Sequence, residues 1–154
     1  MYIEKYMHLA LQQAMKAYQL DEVPVGAIIV KNNIVIGEGC NQVIANNSVS
    51  SHAEINAINN ASKYLKNYRL VDCDIYVTLE PCHMCAKAIV DARIKNLYFG
   101  AAEPKSGAII SVDNFFKKDY LNHSVSYEHG FLDNESSELL VNFFSSKRKY
   151  KQTI

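Results

Sequence analysis

The sequence predicts an α/β protein in which helices cover both faces of a five-stranded mixed sheet, giving three layers. Segments with helical periodicity alternate with short β-rich runs in the order α-β-β-α-β-α-β-α-β-α, which is typical of helix-covered sheets. The first two β-rich runs are joined through Asn32-Asn33, which tolerate left-handed backbone, so these strands are predicted to form an antiparallel hairpin. A length of 154 residues fits one domain, and residues 1–154 are predicted to fold as a single unit.

Composition and charge narrow the class of protein. Hydrophobic residues make up 49% and charged residues 21% of the chain, and 16 basic residues balance 16 acidic ones. A neutral balance argues against nucleic-acid binding over the whole surface, because phosphate backbones attract clustered cations. No apolar run reaches the roughly 20 residues of a membrane span, and the N-terminus lacks the pattern of a secretory signal. The cytoplasm is therefore the expected location, and four cysteines indicate metal or redox use rather than disulfides.

The first part of the chain is predicted as one helix and the hairpin. Apolar residues recur at helical spacing over residues 3–19 and predict the first helix, which ends before Pro24. Residues 26–30 form a continuous apolar run, typical of a strand covered on both faces, and residues 34–39 predict its partner.

The second helix is predicted over residues 52–65, with Ser50 or Ser51 as its N-cap. Its apolar face is headed by Glu54. Burying an ionised carboxylate without a partner is costly, so this position indicates a working residue rather than a structural one.

The rest of the chain continues the alternation. A strand over residues 74–79 is followed by Pro81 and a helix over 82–93, and then by a strand over 95–100. A short helix is predicted over 112–118 and a fifth strand over 125–127. Asp133 or Asn134 is expected to cap a last helix. The apolar side of that helix is predicted to consist of Leu139, Leu140, Phe143 and Phe144.

One histidine and two cysteines form the most informative pattern. His52, Cys82 and Cys85 are ligand types that zinc prefers, and an ion held by three protein groups keeps a position open for water. Glu54 could then move protons of that water. His52 and Glu54 are two residues apart and would diverge along a helix flank. They converge only if the helix end itself faces the metal, so the sequence predicts two helix N-termini directed at one point.

Other interpretations of the same residues remain open on the residues alone. A lone C-x-x-C after a strand, here Cys82-His83-Met84-Cys85, also occurs in thioredoxin-like redox centres. A structural zinc site would need a fourth ligand, for which His83 is the candidate, although a side chain between two ligands of one turn points elsewhere. Cys40 and Cys73 are expected to be core thiols.

The combination His-Ala-Glu at 52–54 and Pro-Cys-x-x-Cys at 81–85 resembles the zinc deaminase signature. The chain resembles the bacterial tRNA-specific adenosine deaminases over nearly its whole length, which implies the fold of the cytidine deaminase superfamily. Further matching segments are Pro-Val-Gly-Ala at 24–27, Gly-Glu-Gly at 37–39, Asn-Tyr-Arg-Leu at 67–70, Ala-Arg-Ile at 92–94, Phe-Gly-Ala at 99–101 and Lys-Ser-Gly-Ala at 105–108.

This resemblance implies a site and a reaction. His52, Cys82 and Cys85 would hold one Zn²⁺ per subunit, and Asn41 and Ala53 would contact the substrate. The implied reaction is hydrolytic deamination of the wobble adenosine of a tRNA anticodon to inosine. Zinc-bound hydroxide would attack C6 while Glu54 shuttles protons and ammonia leaves.

The resemblance also implies partners. Members of the family are homodimers that bind the tRNA anticodon stem-loop, with no membrane association. Basic residues near the site and at the C-terminus become predicted RNA contacts, namely Lys105, Lys147, Arg148, Lys149 and Lys151. The chain departs from the usual family pattern at His83, Lys87, Ala102, Glu103 and Ile109-Ile110, which bears on RNA recognition rather than on the metal set.

Two further functions fit the same motifs. One is a deaminase of the same fold that acts on a free base or nucleoside such as guanine or cytosine. The other is a catalytically silent RNA-binding subunit, against which the presence of Glu54 argues. A rival carboxylate, Glu80, precedes Pro81 and is expected to direct the backbone rather than to act through its side chain.

Overall fold

A five-stranded mixed sheet forms the centre of the fold, with strands in the order β2-β1-β3-β4-β5. The computed structural model describes the backbone of residues 1–153 and the side chains of residues 1–149. The elements are α1 (Glu4–Gln19), β1 (Gly26–Lys31), β2 (Ile34–Cys40), α2 (Ala53–Leu65), β3 (Cys73–Leu79), α3 (His83–Asp91), β4 (Asn96–Ala101), a 3₁₀ turn (Phe115–Lys117), β5 (Ser126–His129) and α4 (Asp133–Thr153).

The pairing of the strands confirms the predicted mixed sheet. Strand β1 pairs antiparallel with both β2 and β3, whereas β3–β4 and β4–β5 are parallel pairs. Asn32 and Asn33 have φ of 50° and 61°, which is the left-handed backbone that a tight hairpin turn requires. The first five residues of β1 are buried, as expected for a central strand covered on both faces.

Helices cover the sheet on both faces and complete the predicted three layers. One apolar core includes Ala57 of α2 and Ile89 of α3, packed on one face of the sheet. The other core includes Met7 of α1, which packs with Tyr76 and Tyr98 on the opposite face. Helix α4 lies against β4 and contacts α1. Within the described residues, none of the helices combines the length and the apolar character needed to span a membrane.

Two helix starts near the site differ by one residue from the prediction, and the predicted serine N-cap of α2 is wrong. Helix α2 begins at Ala53 with His52 as its N-cap, and helix α3 begins at His83 with Cys82 as its N-cap. Neither predicted serine caps α2, because the Ser51 hydroxyl instead bonds with the side chains of Asn46 and Asn56. Each ligand-bearing helix thus starts one residue later than predicted.

Differences also occur in the last third of the chain. The helix predicted over 112–118 is only the 3₁₀ turn Phe115–Lys117, and the fifth strand, predicted over 125–127, is Ser126–His129. On α4, Phe143 is buried but Phe144 is 44% exposed, so the predicted apolar side is not wholly internal. The ring of Phe144 instead lines a cleft beside the site described next.

Candidate active site

The N-termini of α2 and α3 meet at one point in the fold. His52 and Cys82, the N-caps of these helices, both have extended backbone, which turns the chain into each helix. A helix start carries free N–H groups and the positive end of the helix dipole, so it favours thiolate and other negative charge. The two helix ends thus form an electropositive corner at the end of β3, which finishes at Leu79.

His52, Cys82 and Cys85 lie at this corner with ligand atoms within 4.8 Å of one another. The Nδ1 atom of His52 is 3.7 Å from the Cys82 Sγ and 3.6 Å from the Cys85 Sγ. A tetrahedral zinc ion with ordinary bond lengths separates nitrogen and sulfur ligands by about 3.6 Å. The donor set and its spacing therefore fit a zinc ion with an open fourth position, and we call this group of three residues the metal corner.

The charges of these groups are strongly linked. The thiol of Cys85 hydrogen-bonds to Cys82 and, with His52, lowers the pKa of Cys82 to about 3 against the effect of burial. The same bond, followed by burial, raises the pKa of Cys85, and the bond with Cys82 raises the pKa of His52. The site thus stabilises negative charge on Cys82, and a thiolate is the form of cysteine that binds metals.

Glu54 follows His52 in the first turn of α2 and is only 4% exposed. Burial raises the pKa of Glu54 to about 7. The carboxyl group lines the same cleft as His52 and Cys82. A buried carboxyl at the metal corner has the position required of a proton-transfer group.

The cleft above this corner has a volume of about 580 Å³, within the range of small-molecule sites. Its lining comes from segments that are far apart in the sequence. The turn after α1 contributes Asp21 and Glu22, the loop after β2 contributes Asn41 and Ile44, the loop after β4 contributes Glu103 and Ser106, and α4 contributes Phe143, Phe144 and Lys147.

The two predicted substrate-contacting residues are neighbours. The Oδ1 atom of Asn41 accepts a hydrogen bond of 2.8 Å from the backbone N–H of Ala53, and Asn41 itself lines the cleft. Ala53 is fully buried, so only its backbone is available for a role in the site.

Among the described side chains predicted to contact RNA, one lines the cleft and three are exposed on the surface. Lys147 lines the cleft and forms an ion pair of 2.5 Å with Asp21. Lys105 is exposed in the loop after β4. Arg148 and Lys149 are exposed on α4, where Arg148 donates a hydrogen bond to Ser145. The side chain of Lys151 lies outside the described residues.

The structure also decides the roles predicted for Glu80 and His83. Glu80 acts through its side chain, contrary to expectation, because its buried carboxylate accepts hydrogen bonds from Ser111 and from backbone N–H groups of the loop after β4. His83 pairs with Asp113 at 2.9 Å on the surface and does not join the ligand group. The structural-zinc interpretation thus lacks its proposed fourth ligand.

Sequence reasoning missed Glu22 and the part of the cleft wall formed by Phe143 and Phe144. Glu22 is buried and its carboxylate accepts hydrogen bonds from the N–H groups of Ile44 and Ala45. An acidic residue just before Val23-Pro24 has no periodicity that would predict burial. The only available signal was that both Glu22 and Glu80 precede a proline-containing segment.

Comparison with known proteins identifies the relatives of this chain. A family model of MafB19-like deaminases matches residues 1–148. The tRNA-specific adenosine deaminase of Haemophilus influenzae is 46% identical over 150 residues, which is 97% of this chain and 87% of that protein.

Solved structures agree with this result. A structure from a study of A-to-I editing by tRNA:A34 deaminases at the wobble position of transfer RNA has a TM-score of 0.86 and 44% identity, and covers 88% of this chain and 99% of that one. A guanine deaminase from Bacillus subtilis has a TM-score of 0.63 and 32% identity, over 97% of this chain and 95% of that one. These matches favour a deaminase over a thioredoxin-like oxidoreductase. The chain therefore belongs to the deaminase family that contains the tRNA-specific adenosine deaminases.

Proposed function

We propose that this protein converts the wobble adenosine of a tRNA anticodon to inosine by hydrolysis, with release of ammonia. The observation that supports this most directly is the set of His52, Cys82 and Cys85 beside the buried Glu54, on the floor of a cleft large enough for a base. Sequence identity of 46% to a tRNA-specific adenosine deaminase supports the choice of substrate.

In this proposal His52, Cys82 and Cys85 hold one Zn²⁺ per subunit, for which their spacing is suited. Bound zinc supplies the acidification of water that makes hydrolysis possible near neutral pH. The N-termini of α2 and α3 orient the three ligands and stabilise the thiolates.

Glu54 acts as the proton shuttle. It takes a proton from the attacking water and passes one to ring N1 of adenine. It then takes the remaining proton of the hydroxyl group now bonded to C6 and gives it to the 6-amino group, so that the C–N bond breaks, C6 becomes a carbonyl carbon and ammonia leaves. Because the Glu54 carboxyl is buried at the floor of the cleft, bulk water does not compete for these transfers.

Substrate binding in this proposal divides between floor and rim. Asn41 and the backbone of Ala53 contact the base, which must be turned out of the anticodon loop to reach the floor. Lys105, Lys147, Arg148, Lys149 and Lys151 contact phosphates around it, as expected for single-stranded RNA. The proposed enzyme works as a homodimer in the cytoplasm, where its tRNA substrate is found.

The decisive experiment uses zinc-loaded protein and two anticodon stem-loops that differ only in adenosine or guanosine at the wobble position. We expect inosine to form in the first RNA and no change in the second, measured by mass spectrometry of the digested nucleosides. Glu54→Ala serves as the inactive control. Absence of inosine from the zinc-loaded wild type would contradict the proposal.

A second candidate is deamination of a free base, supported by the 32% identity to a guanine deaminase. The same preparation tested with guanine, cytosine and free adenosine separates the two candidates by ammonia release. Faster turnover of any of these compounds than of the anticodon stem-loop would favour the second candidate.

A further inference from the structure

Two buried carboxylates at the cleft are not used by the proposed chemistry. Glu22 and Glu80 are 2% and 3% exposed, yet both reach the lining of the cleft. Neither forms an ion pair with a lysine or arginine among the described residues. A buried carboxylate without a counter-charge is costly unless hydrogen bonds replace water, so the partners of each one are informative.

The partners of Glu80 all belong to one loop. Its carboxylate accepts hydrogen bonds from the backbone N–H groups of Glu103, Ile109, Ile110 and Ser111, at 2.8 to 3.0 Å, and from the Ser111 hydroxyl. The loop lies close to the Glu80 carboxylate. A Cβ added at Gly107 would be only 2.3 Å from one of its oxygens, so there is no room for a side chain at this position. Residues 103–111 are thereby held around a single side chain at the end of β3.

The partners of Glu22 belong to a different loop. Its two oxygens accept hydrogen bonds from the N–H groups of Ile44 at 3.1 Å and Ala45 at 2.8 Å. This loop starts at Asn41 and leads into His52 at the start of α2. Glu22 therefore holds the segment between a proposed substrate contact and a proposed metal ligand.

The two loops are separate walls of one cleft. Asn41 and Ile44 line it from the loop held by Glu22, and Glu103 and Ser106 line it from the loop held by Glu80. Backbone N–H groups bonded to a buried carboxylate lose freedom that an exposed loop would keep. The positions of both walls are thus set by carboxylates outside the metal corner.

We infer that Glu22 and Glu80 are positioning residues that hold the two loops against the base in the cleft. This inference rests on the proposed function, because it assigns the walls to the same nucleotide site. Replacement by glutamine keeps the size of each side chain but turns one acceptor oxygen into an NH₂ group, which faces backbone N–H donors. Each replacement should therefore release one loop and leave the other in place.

The test uses Glu80→Gln and Glu22→Gln, with Glu38→Gln as the matched control on the exposed face of β2. Hydrogen–deuterium exchange should accelerate at residues 103–111 in the first variant and at residues 44–45 in the second. With zinc content unchanged, kcat/KM for the wobble-adenosine stem-loop should fall by on the order of 10-fold or more, since small misplacements of reacting groups are costly. Ser111→Ala, which removes one partner of Glu80, should have a smaller effect of the same kind.

The outcomes separate this inference from the proposed function. An inactive wild type would contradict the proposed function, whereas loop-specific exchange would still report what each carboxylate holds. If the wild type is active, kcat/KM of both glutamine variants within twofold of wild type would overturn the inference, even with faster exchange. It would also be overturned if loss of zinc accounted for the whole decrease in rate.

Discussion

The floor and the rim of the cleft are built in opposite ways. On the floor, His52, Cys82 and Cys85 are fixed by the starts of two helices, and Glu54 is buried beside them. On the rim, α4 presents Phe144 and Lys147, which are partly exposed, and Lys147 is paired with the exposed Asp21. The floor therefore depends on burial and close geometry, whereas the rim depends on charges that water and salt screen.

This difference predicts how variants will divide. Changes on the floor should have large effects on rate that salt does not alter. Changes on the rim should have small effects that depend on ionic strength and on RNA as the substrate.

The largest effect is expected from Cys85→Ser. Loss of one of two thiolates should remove zinc and reduce deamination below detection, because three ligands are the minimum for a stable catalytic site. Metal content by atomic absorption and inosine formation check this. Cys40→Ala is the matched control, since Cys40 is buried but is not part of the metal corner. This variant should keep its zinc. Full activity of Cys85→Ser would remove this residue from the metal set.

Glu54→Ala should retain zinc but lower kcat by about 10²–10⁴-fold, the usual contribution of a general acid–base group. Removing this carboxyl should not lower the melting temperature, because burial disfavours its charged form and raises its pKa to about 7. Glu54→Gln, which preserves the size of the side chain, should be equally impaired. Substantial turnover by either variant would mean that another group moves the protons.

Gly39→Ala disturbs the floor without touching a ligand. A Cβ at this position would lie 2.4 Å from the Ala53 carbonyl oxygen and 2.5 Å from the Ala57 nitrogen, so α2 must shift. We expect the free energy of unfolding to fall by about 1–3 kcal/mol and zinc to bind more weakly. Urea unfolding and zinc competition titrations measure these two effects.

Gly130→Ala is the control for this prediction. Gly130 has a φ of 91° with nothing near its added Cβ, so alanine there introduces backbone strain far from α2. It should lower stability while leaving zinc affinity unchanged. Equal zinc affinity in the Gly39 and Gly130 variants would show that the packing of β2 on α2 does not position His52.

The smallest effect is expected from Lys147→Ala on the rim. Its kcat/KM for the anticodon stem-loop should fall by on the order of threefold, and the salt dependence of kcat/KM should become shallower by about 0.7, the contribution of one phosphate contact in single strands. Stability should change little, because an exposed ion pair such as Lys147–Asp21 contributes about 0–1 kcal/mol.

Asp21→Asn is the counterpart of this variant. It removes the negative partner of Lys147 and suits the left-handed backbone of position 21, which has a φ of 62°. RNA turnover should stay the same or rise slightly. A decrease as large as that of Lys147→Ala would indicate that the ion pair itself, rather than a phosphate contact, supports activity.

The sheet was predictable because its signals are local. Residues 26–30 show by composition alone that β1 is covered on both faces, and Asn32-Asn33 indicate the hairpin turn. The short segment between β4 and β5 was harder, since Phe115–Lys117 forms one 3₁₀ turn that periodicity does not distinguish from a short helix. The helix starts at His52 and Cys82 were missed by one residue, since their caps lack the expected side-chain hydrogen bonds.

The chemistry of the floor follows from sequence because ligand types and spacing are local properties. His52 with Glu54, and Cys82 with Cys85, each join a helix N-cap to the first turn of the same helix, so their relation depends on the local geometry of a helix start. Only the tertiary structure decided which distant groups meet. Glu80 bonds to a loop up to 31 residues away and Glu22 to one 22 residues away, while Lys147 pairs with Asp21. Contacts between segments that far apart depend on how the helices and loops pack on the sheet. Such packing produces no periodic pattern of residues from which the contacts could be predicted.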